Sequence, residues 1–170
     1  FHPVAHDVVL SGCLDGQVRM YDLSDRKDGD ETGVVEACDT LDTKGIVTAL
    51  TLSEDGATLV VGLFEGTCMF CDLDIENRKI QDGVTLKKVK SRRGRNAKGH
   101  KITGLEYRGC AKRRDFDAEL LVSTVDSRIR RYRVNNGDLL CKYKGLSNVG
   151  FTKKMTGEVT STQIRCVDAT

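Results

Sequence analysis

Three stretches of the sequence superimpose on one pattern. Val8-Val-Leu-Ser-Gly-Cys-Leu-Asp15-Gly-Gln-Val-Arg-Met-Tyr21 is the first, Thr58-Leu-Val-Val-Gly-Leu-Phe-Glu65-Gly-Thr-Cys-Met-Phe-Cys71 the second, and Leu120-Leu-Val-Ser-Thr-Val-Asp126-Ser-Arg-Ile-Arg-Arg-Tyr132 the third. Each runs as an apolar segment, an acidic residue with a small residue after it, and a second segment ending in an aromatic or Cys six positions beyond the acid. A repeated unit means copies of one supersecondary element that bury their apolar faces on one another, because one copy alone cannot. Asp15-Gly16, Glu65-Gly66 and Asp126-Ser127 carry the chemistry of a tight turn between two strands, so their acids have a geometric role.

The acids stand 50 and 61 residues apart, which leaves room for two further strands per unit and for polar insertions over 25–32 and 111–117. Alternating β-branched residues mark those strands at 46–52 and 101–107 ahead of the second and third cores, and at 34–35, 84–89 and 139–143 behind the three cores. A last one, over 163–167, reads as the opening strand of a fourth unit. No window holds a 3.6-residue period with caps. The expectation is an all-β array of four-stranded units: 1–45 lacking its first strand, 46–90, 91–144 with a basic loop leading into it, and 145–170 as a loop and the first strand of the next.

Composition narrows the classes. At 170 residues, 39% hydrophobic and 31% charged, the chain has the balance of an ordinary globular domain. Its longest apolar run, Leu59 to Phe64, falls far short of the roughly 18 residues a membrane helix needs. No targeting leader is legible, and the opening Phe1-His2-Pro3 reads as the middle of something longer. The 7 cysteines are odd in number and irregularly spaced, which points to reduced buried thiols and not to a disulfide framework. Cys68-Met-Phe-Cys71 has a metal-ligand spacing, but in a strand two residues three apart face opposite ways and cannot share one ion. His2 and His6 have no third ligand nearby, so no metal is expected.

Charge is strongly divided. Residues 1–85 hold 6 Lys and Arg against 17 Asp and Glu, and residues 86–170 hold 21 against 8. Such a split bears on partners and long-range attraction more than on fold. Eight cations, Lys87, Lys88, Lys90, Arg92, Arg93, Arg95, Lys98 and Lys101, follow one another with no acid between them. Clustered Arg and Lys on a loop grip carboxylates or phosphates; the competing reading is a solvated connection. Lys88, Lys90, Arg92, Arg93, Arg95 and Lys98 are the candidate partner- or anion-binding residues. Their ligand would be a protein, an anionic lipid surface such as a phosphoinositide, or nucleic acid, the last disfavoured because no aromatic residue is there to stack a base. No nucleophile with a recognisable elbow accompanies His100 and no phosphate-cradling glycine loop is present, so neither a catalytic residue nor a cofactor is expected.

Gly99-His100, then Thr124-Val-Asp126, then Tyr132, resemble the pattern of WD-repeat β-propellers. The resemblance implies a hydrogen-bonded structural tetrad of His100, Thr124, Asp126 and Tyr132, the last in the place of the family's Trp. In the other units Cys13 and Leu63 replace the hydroxyl, and Lys44 is placed at the second unit's His position. Over most of the chain, through Ser91-Arg-Arg-Gly-Arg-Asn, Lys101-Ile-Thr-Gly, Asp126-Ser-Arg-Ile-Arg and Lys142-Tyr-Lys-Gly145, the sequence is similar to the Rab-GTPase effector (rabphilin-like) WD-repeat proteins of recycling endosomes. That similarity implies about three four-stranded blades of a larger, seven-bladed ring. It also implies a non-catalytic scaffold for protein partners in Rab-linked vesicle trafficking, cytoplasmic or peripheral on endosomal and Golgi membranes. In that family the GTPase-binding segment lies upstream of the propeller, so what carries over here is the scaffold. Arg131 departs from the pattern, standing where the other units have Met20 and Phe70; its stem is expected to pack while its guanidinium reaches an edge or an acid.

Overall fold

The segment Thr58–Leu63 is buried at every one of its positions. A strand turns successive side chains to opposite faces, so burial without alternation requires a sheet covered on both sides. The computed structural model describes residues 1–25, 34–81, 84–88, 99–109, 118–145 and 165–168, with 84–88 and 165–168 described as backbone strands. It forms three antiparallel sheets. The first is β1 (Val8–Gly12), β2 (Gln17–Asp22) and β3 (Ala37–Asp42), in that order. The second is β4 (Val47–Leu52), β5 (Thr58–Leu63) and β6 (Thr67–Asp74), with the two-residue β7 (Lys79–Ile80) and β8 (Val84–Lys88) both pairing with β6. The third runs β9 (Ile102–Arg108), β10 (Glu119–Thr124), β11 (Arg128–Arg133), β12 (Leu139–Lys144) and β13 (Arg165–Asp168). Among the described residues the one helical element is a 3-10 turn at Leu23–Asp25.

The second sheet is the filling between the other two. One core joins Val8, Val18, Met20 and Leu41 of the first sheet to Val47, Leu59, Val61, Leu63, Met69 and Cys71 of the second. The other joins Val60 and Cys68 to Ile102, Leu105, Tyr107, Leu120 and Val122 of the third. Residues 59, 61 and 63 of β5 therefore face one neighbour while Val60 faces the other. Cys68 and Cys71 lie in different cores, on opposite faces of β6, as their spacing in a strand requires.

Two glycines set how closely the sheets approach. A methyl group on Gly62 would lie 2.8 Å from Ile102 Cγ2 and 3.1 Å from Leu105 Cδ1, and one on Gly12 would collide with Val47 Cγ1. These are the same contact in two copies: the residue just before the turn of one unit meets the first strand of the next. Ser123 holds that place in the third unit, where its Oγ shares a 2.7 Å hydrogen bond with Thr103 Oγ1.

The sheets differ from the sequence reading at three places. The strand expected at Val34-Val35 forms at Ala37–Asp42, where Leu41 is the only buried residue, so an edge strand this polar carries no clear alternation. The strand expected to open a fourth unit pairs instead with β12 as the outermost strand of the third sheet. An unpaired edge of N–H and C=O groups is a template for a strand, and β13 satisfies it. Cys141 is disulfide-bonded, which corrects the expectation of reduced thiols at that position; Cys13, Cys38, Cys68 and Cys71 are free.

Candidate functional site

The three hairpin turns share one geometry. Gly16 N–H donates to Cys13 O at 3.2 Å, Gly66 N–H to Leu63 O at 3.0 Å and Ser127 N–H to Thr124 O at 3.2 Å. Their φ values of 86°, 83° and 58° put all three in the left-handed region, the geometry of a three-residue hairpin loop closed by a left-handed residue. Glycine adopts it without strain, and Ser127 is the exception that carries a Cβ. Each of the first two turns rests on the start of the next unit. A Cβ on Gly16 would sit 3.0 Å from Gly45 O, and one on Gly66 would sit 2.8 Å from both His100 N and His100 O. Phe64 N–H donates to Ile46 O and Val125 N–H to Lys101 O, so Ile46 and Lys101 hold one repeat position. It follows that Gly45, and not Lys44, stands where His100 stands.

Of the tetrad residues, the structure brings Thr124 and Asp126 together: the Thr124 hydroxyl donates to Asp126 Oδ1. The second donor is Arg130, which the sequence reading passed over. Its Nη2 bonds Asp126 Oδ2 at 2.5 Å, and its Nη1 bonds Thr124 Oγ1 at 2.6 Å and Asp126 Oδ1 at 3.2 Å. Arg130 is wholly buried, at 0% exposure. Burial works to raise the Asp126 carboxyl, but the hydrogen bonds from Arg130 and Thr124 overcome it and hold the group below its ordinary range. His100 adds a nearby charge that lowers it further, with no hydrogen bond to the carboxylate among the described residues. Tyr132 packs against the second core, and loss of solvent pushes its hydroxyl up to about 12. Arg130 was legible in one respect: Arg19 lies four residues after Asp15, as Arg130 does after Asp126, and bonds it at 2.5 Å. Arg131 behaves as its position suggests, half exposed and 3.2 Å from Glu119 Oε1.

The turns and strand starts expose apolar side chains where the repeat brings them to one face. Leu14 in the first turn is 74% exposed, Phe64 in the second 54%, and Ile46 at the start of β4 42%. Lys101 Nζ lies 6.0 Å from the centroid of the Phe64 ring. Exposed Asp15, Lys44 and Glu65 accompany them. Asp15 accepts from Gln17 N–H at 2.9 Å and from Arg19, whose guanidinium holds its carboxyl below the usual value.

Gly99 and His100 lie against the Gly66 turn. Lys90, Arg92, Arg93, Arg95 and Lys98 lie outside the described residues, and Lys88 ends the backbone of β8. His2 is buried and fully engaged: Nδ1 accepts from Val4 N–H at 3.2 Å and Ala5 N–H at 2.9 Å, leaving Nε2–H to donate to Gly56 O at 3.0 Å. Both ring nitrogens are engaged, so it ties the first sheet to the second and is not free to ligate. Among the described residues no group of three His, Cys, Asp or Glu is arranged to hold a metal. No described helix is long and apolar enough to cross a membrane.

No protein-family profile matches the chain. It is 35% identical over 150 residues, 87% of its length, to WD repeat-containing protein 44 of Xenopus laevis, and spans 14% of that protein. The likeness supports the WD-repeat family. With three antiparallel sheets packed in series and almost no helix among the described residues, the fold is that of a WD-repeat propeller segment.

Proposed function

We propose that this WD-repeat propeller segment is a non-catalytic scaffold that presents its hairpin-turn face to protein partners. The observation that carries the reading is the exposure of Leu14, Ile46 and Phe64 at repeat-related places on loops that rigid sheets hold in fixed relation. Apolar side chains within a charged surround are the usual composition of a protein-binding patch. Acidic early units and basic later ones would orient a charged partner during encounter. The likeness in 91–145 to Rab-effector WD-repeat proteins supports a role in Rab-linked vesicle trafficking, on the cytoplasmic side of endosomal or Golgi membranes.

The test is proximity labelling and pull-down with the wild-type chain and a Leu14→Glu, Phe64→Glu variant. Both side chains are exposed, so the variant keeps its fold, and it is expected to lose the partners that the wild type retains. Retention of every partner by the folded variant would refute the reading.

The uninterrupted cations from 87 to 101 support a second reading, docking to an anionic lipid surface. Each basic side chain near such a surface adds about 1 kcal/mol. Arg92→Ala, Arg93→Ala, Arg95→Ala together should abolish flotation with phosphoinositide-containing liposomes and leave neutral liposomes unaffected. Equal flotation of variant and wild type would exclude it. Binding to mixed oligonucleotides that falls steeply with salt would instead assign the segment to nucleic acid.

A further inference from the structure

The exposed side chains of the hairpin-turn face form one row. Leu14 and Phe64 each stand directly ahead of a turn acid, and Ile46 and Lys101 share the entry position of their units. The Gly16 turn rests on Gly45, one residue ahead of Ile46, and the Gly66 turn rests on His100, one residue ahead of Lys101. Lys101 Nζ lies 6.0 Å from the Phe64 ring centroid, so the turn residue of one unit meets the entry residue of the next. The same relation sets Leu14 beside Ile46, and Phe64 N–H donates to Ile46 O at 2.9 Å within the second unit. Leu14, Ile46, Phe64 and Lys101 therefore follow one another across the face, three apolar side chains and then a cation held over an aromatic ring.

Charge is uncompensated at one end of this row. Asp15, at the first-unit end, is paired with Arg19. Beside the middle, Glu65 reaches over Gly45, the chain neighbour of Lys44, which leaves one charge of each sign there. At the third-unit end stand Lys101 and Arg128, the latter opposite Thr124 at the start of β11. Both are partly exposed, and neither has an ion pair among the described residues. The turn acid beside them, Asp126, is held by buried Arg130. We infer that the row binds an acidic amphipathic segment of a protein partner, its apolar side chains on Leu14, Ile46 and Phe64 and its carboxylates at Lys101 and Arg128. With this face as the partner-binding surface proposed above, on which the assignment rests, the occupant gains a chemistry and a direction. Stacked sheets lie about 10 Å apart, so Leu14 and Phe64, one sheet apart, match two turns of helix with apolar residues at i, i+4 and i+7. The apolar row supplies affinity, and the cations at its end select and orient the partner. Exposed Asp15, Asp42 and Glu65 on the same face disfavour an anionic bilayer as the occupant.

The probes are two synthetic helical peptides with leucine at i, i+4 and i+7, one carrying a pair of glutamates a turn beyond the last leucine and the other a pair of lysines there. Each is titrated at low salt into the isotope-labelled 170-residue chain, and binding is read from the amide shifts of Leu14, Ile46 and Phe64. The glutamate peptide is expected to bind about tenfold more tightly than the lysine peptide, the size that two exposed charge pairs supply. In a Lys101→Glu, Arg128→Glu variant the preference should reverse. Lys101→Gln with Arg128→Gln should abolish it, and serves as the contrast if the reversed variant does not fold. Leu14→Glu with Phe64→Glu should lose both peptides, which tests the face itself. Equal binding of the two peptides at these amides overturns the inference and leaves the partner-binding role of the face standing. Binding of neither peptide also overturns it, and shifts produced instead by phosphatidylserine vesicles would assign the row to a membrane.

Discussion

Asp15–Arg19 and Asp126–Arg130 are one ion pair written twice. Each joins a turn acid to the arginine four residues on, and each closes at 2.5 Å. Yet Arg19 keeps 28% of its side-chain surface and Asp15 43%, while Arg130 keeps 1% and Asp126 14%. The cause lies outside the hairpins. Arg19 and Arg130 face the side of their sheet that meets the preceding unit. For Arg130 that side carries the second sheet, with Val60, Cys68 and Phe70 against it. For Arg19 no described sheet lies there. The repeat thus encodes the contact, and the neighbour decides its energetic weight: an exposed pair is screened and contributes little, whereas breaking a buried one leaves a charge stranded.

The largest effect should come from Arg130→Ala, which removes the buried partner of a half-buried carboxylate and opens a cavity against the second sheet. Loss of about 3–5 kcal/mol is expected, read as a lower urea midpoint. Replacing both members, Asp126→Ala with Arg130→Met, should cost less than Arg130→Ala alone, because no charge is then left unpaired. A double variant worse than the single one would show that packing, and not the pair, holds this corner.

Gly62→Ala comes next. Its methyl would lie 2.8 Å from Ile102 Cγ2, and forcing β5 and β9 apart should cost about 1–3 kcal/mol. A neutral outcome would mean that the sheets do not approach so closely.

A smaller difference separates the two pairs in acid. The folded Asp126 carboxyl lies below the unfolded value of 3.8, so its pairing contributes stability that is fully present above that value. That contribution is lost as pH falls below 3.8 through the depressed folded value. Wild type should therefore lose stability more steeply below about pH 4 than Arg130→Ala does, in parallel urea titrations. Parallel slopes would separate Asp126 from the acid transition. The smallest effect belongs to Arg19→Ala, which should leave the urea midpoint where it was.

Much of this architecture was readable from residues alone, because turn chemistry and alternation are local signals. Asp15-Gly16 and Glu65-Gly66 announced their turns, and the unbroken apolar run in β5 carried the information that both its faces are covered. What escaped the reading depends on neighbours distant in sequence. Arg130 looks like any charged strand residue until Thr124, Asp126 and the second sheet enclose it. The close-approach role of Gly12 and Gly62 becomes visible only once Val47 and Ile102 face them. The position of β3 is not marked because its sequence is polar, and that of β13 is not marked because pairing with β12 depends on an available edge and not on its own composition. Gly45, and not Lys44, holds the place of His100, and a glycine there gives the sequence no side chain to align.

The packing of three repeated sheets in series is tested most directly by nuclear Overhauser contacts in solution. Cross-peaks from the Gly62 α-protons to the Ile102 Cγ2 methyl and from the Gly12 α-protons to the Val47 Cγ1 methyl should both be strong, since the two contacts are one repeat geometry. Absence of both, with β5 amides exchanging as fast as those of an edge strand, would mean that the second sheet is not enclosed between the first and third.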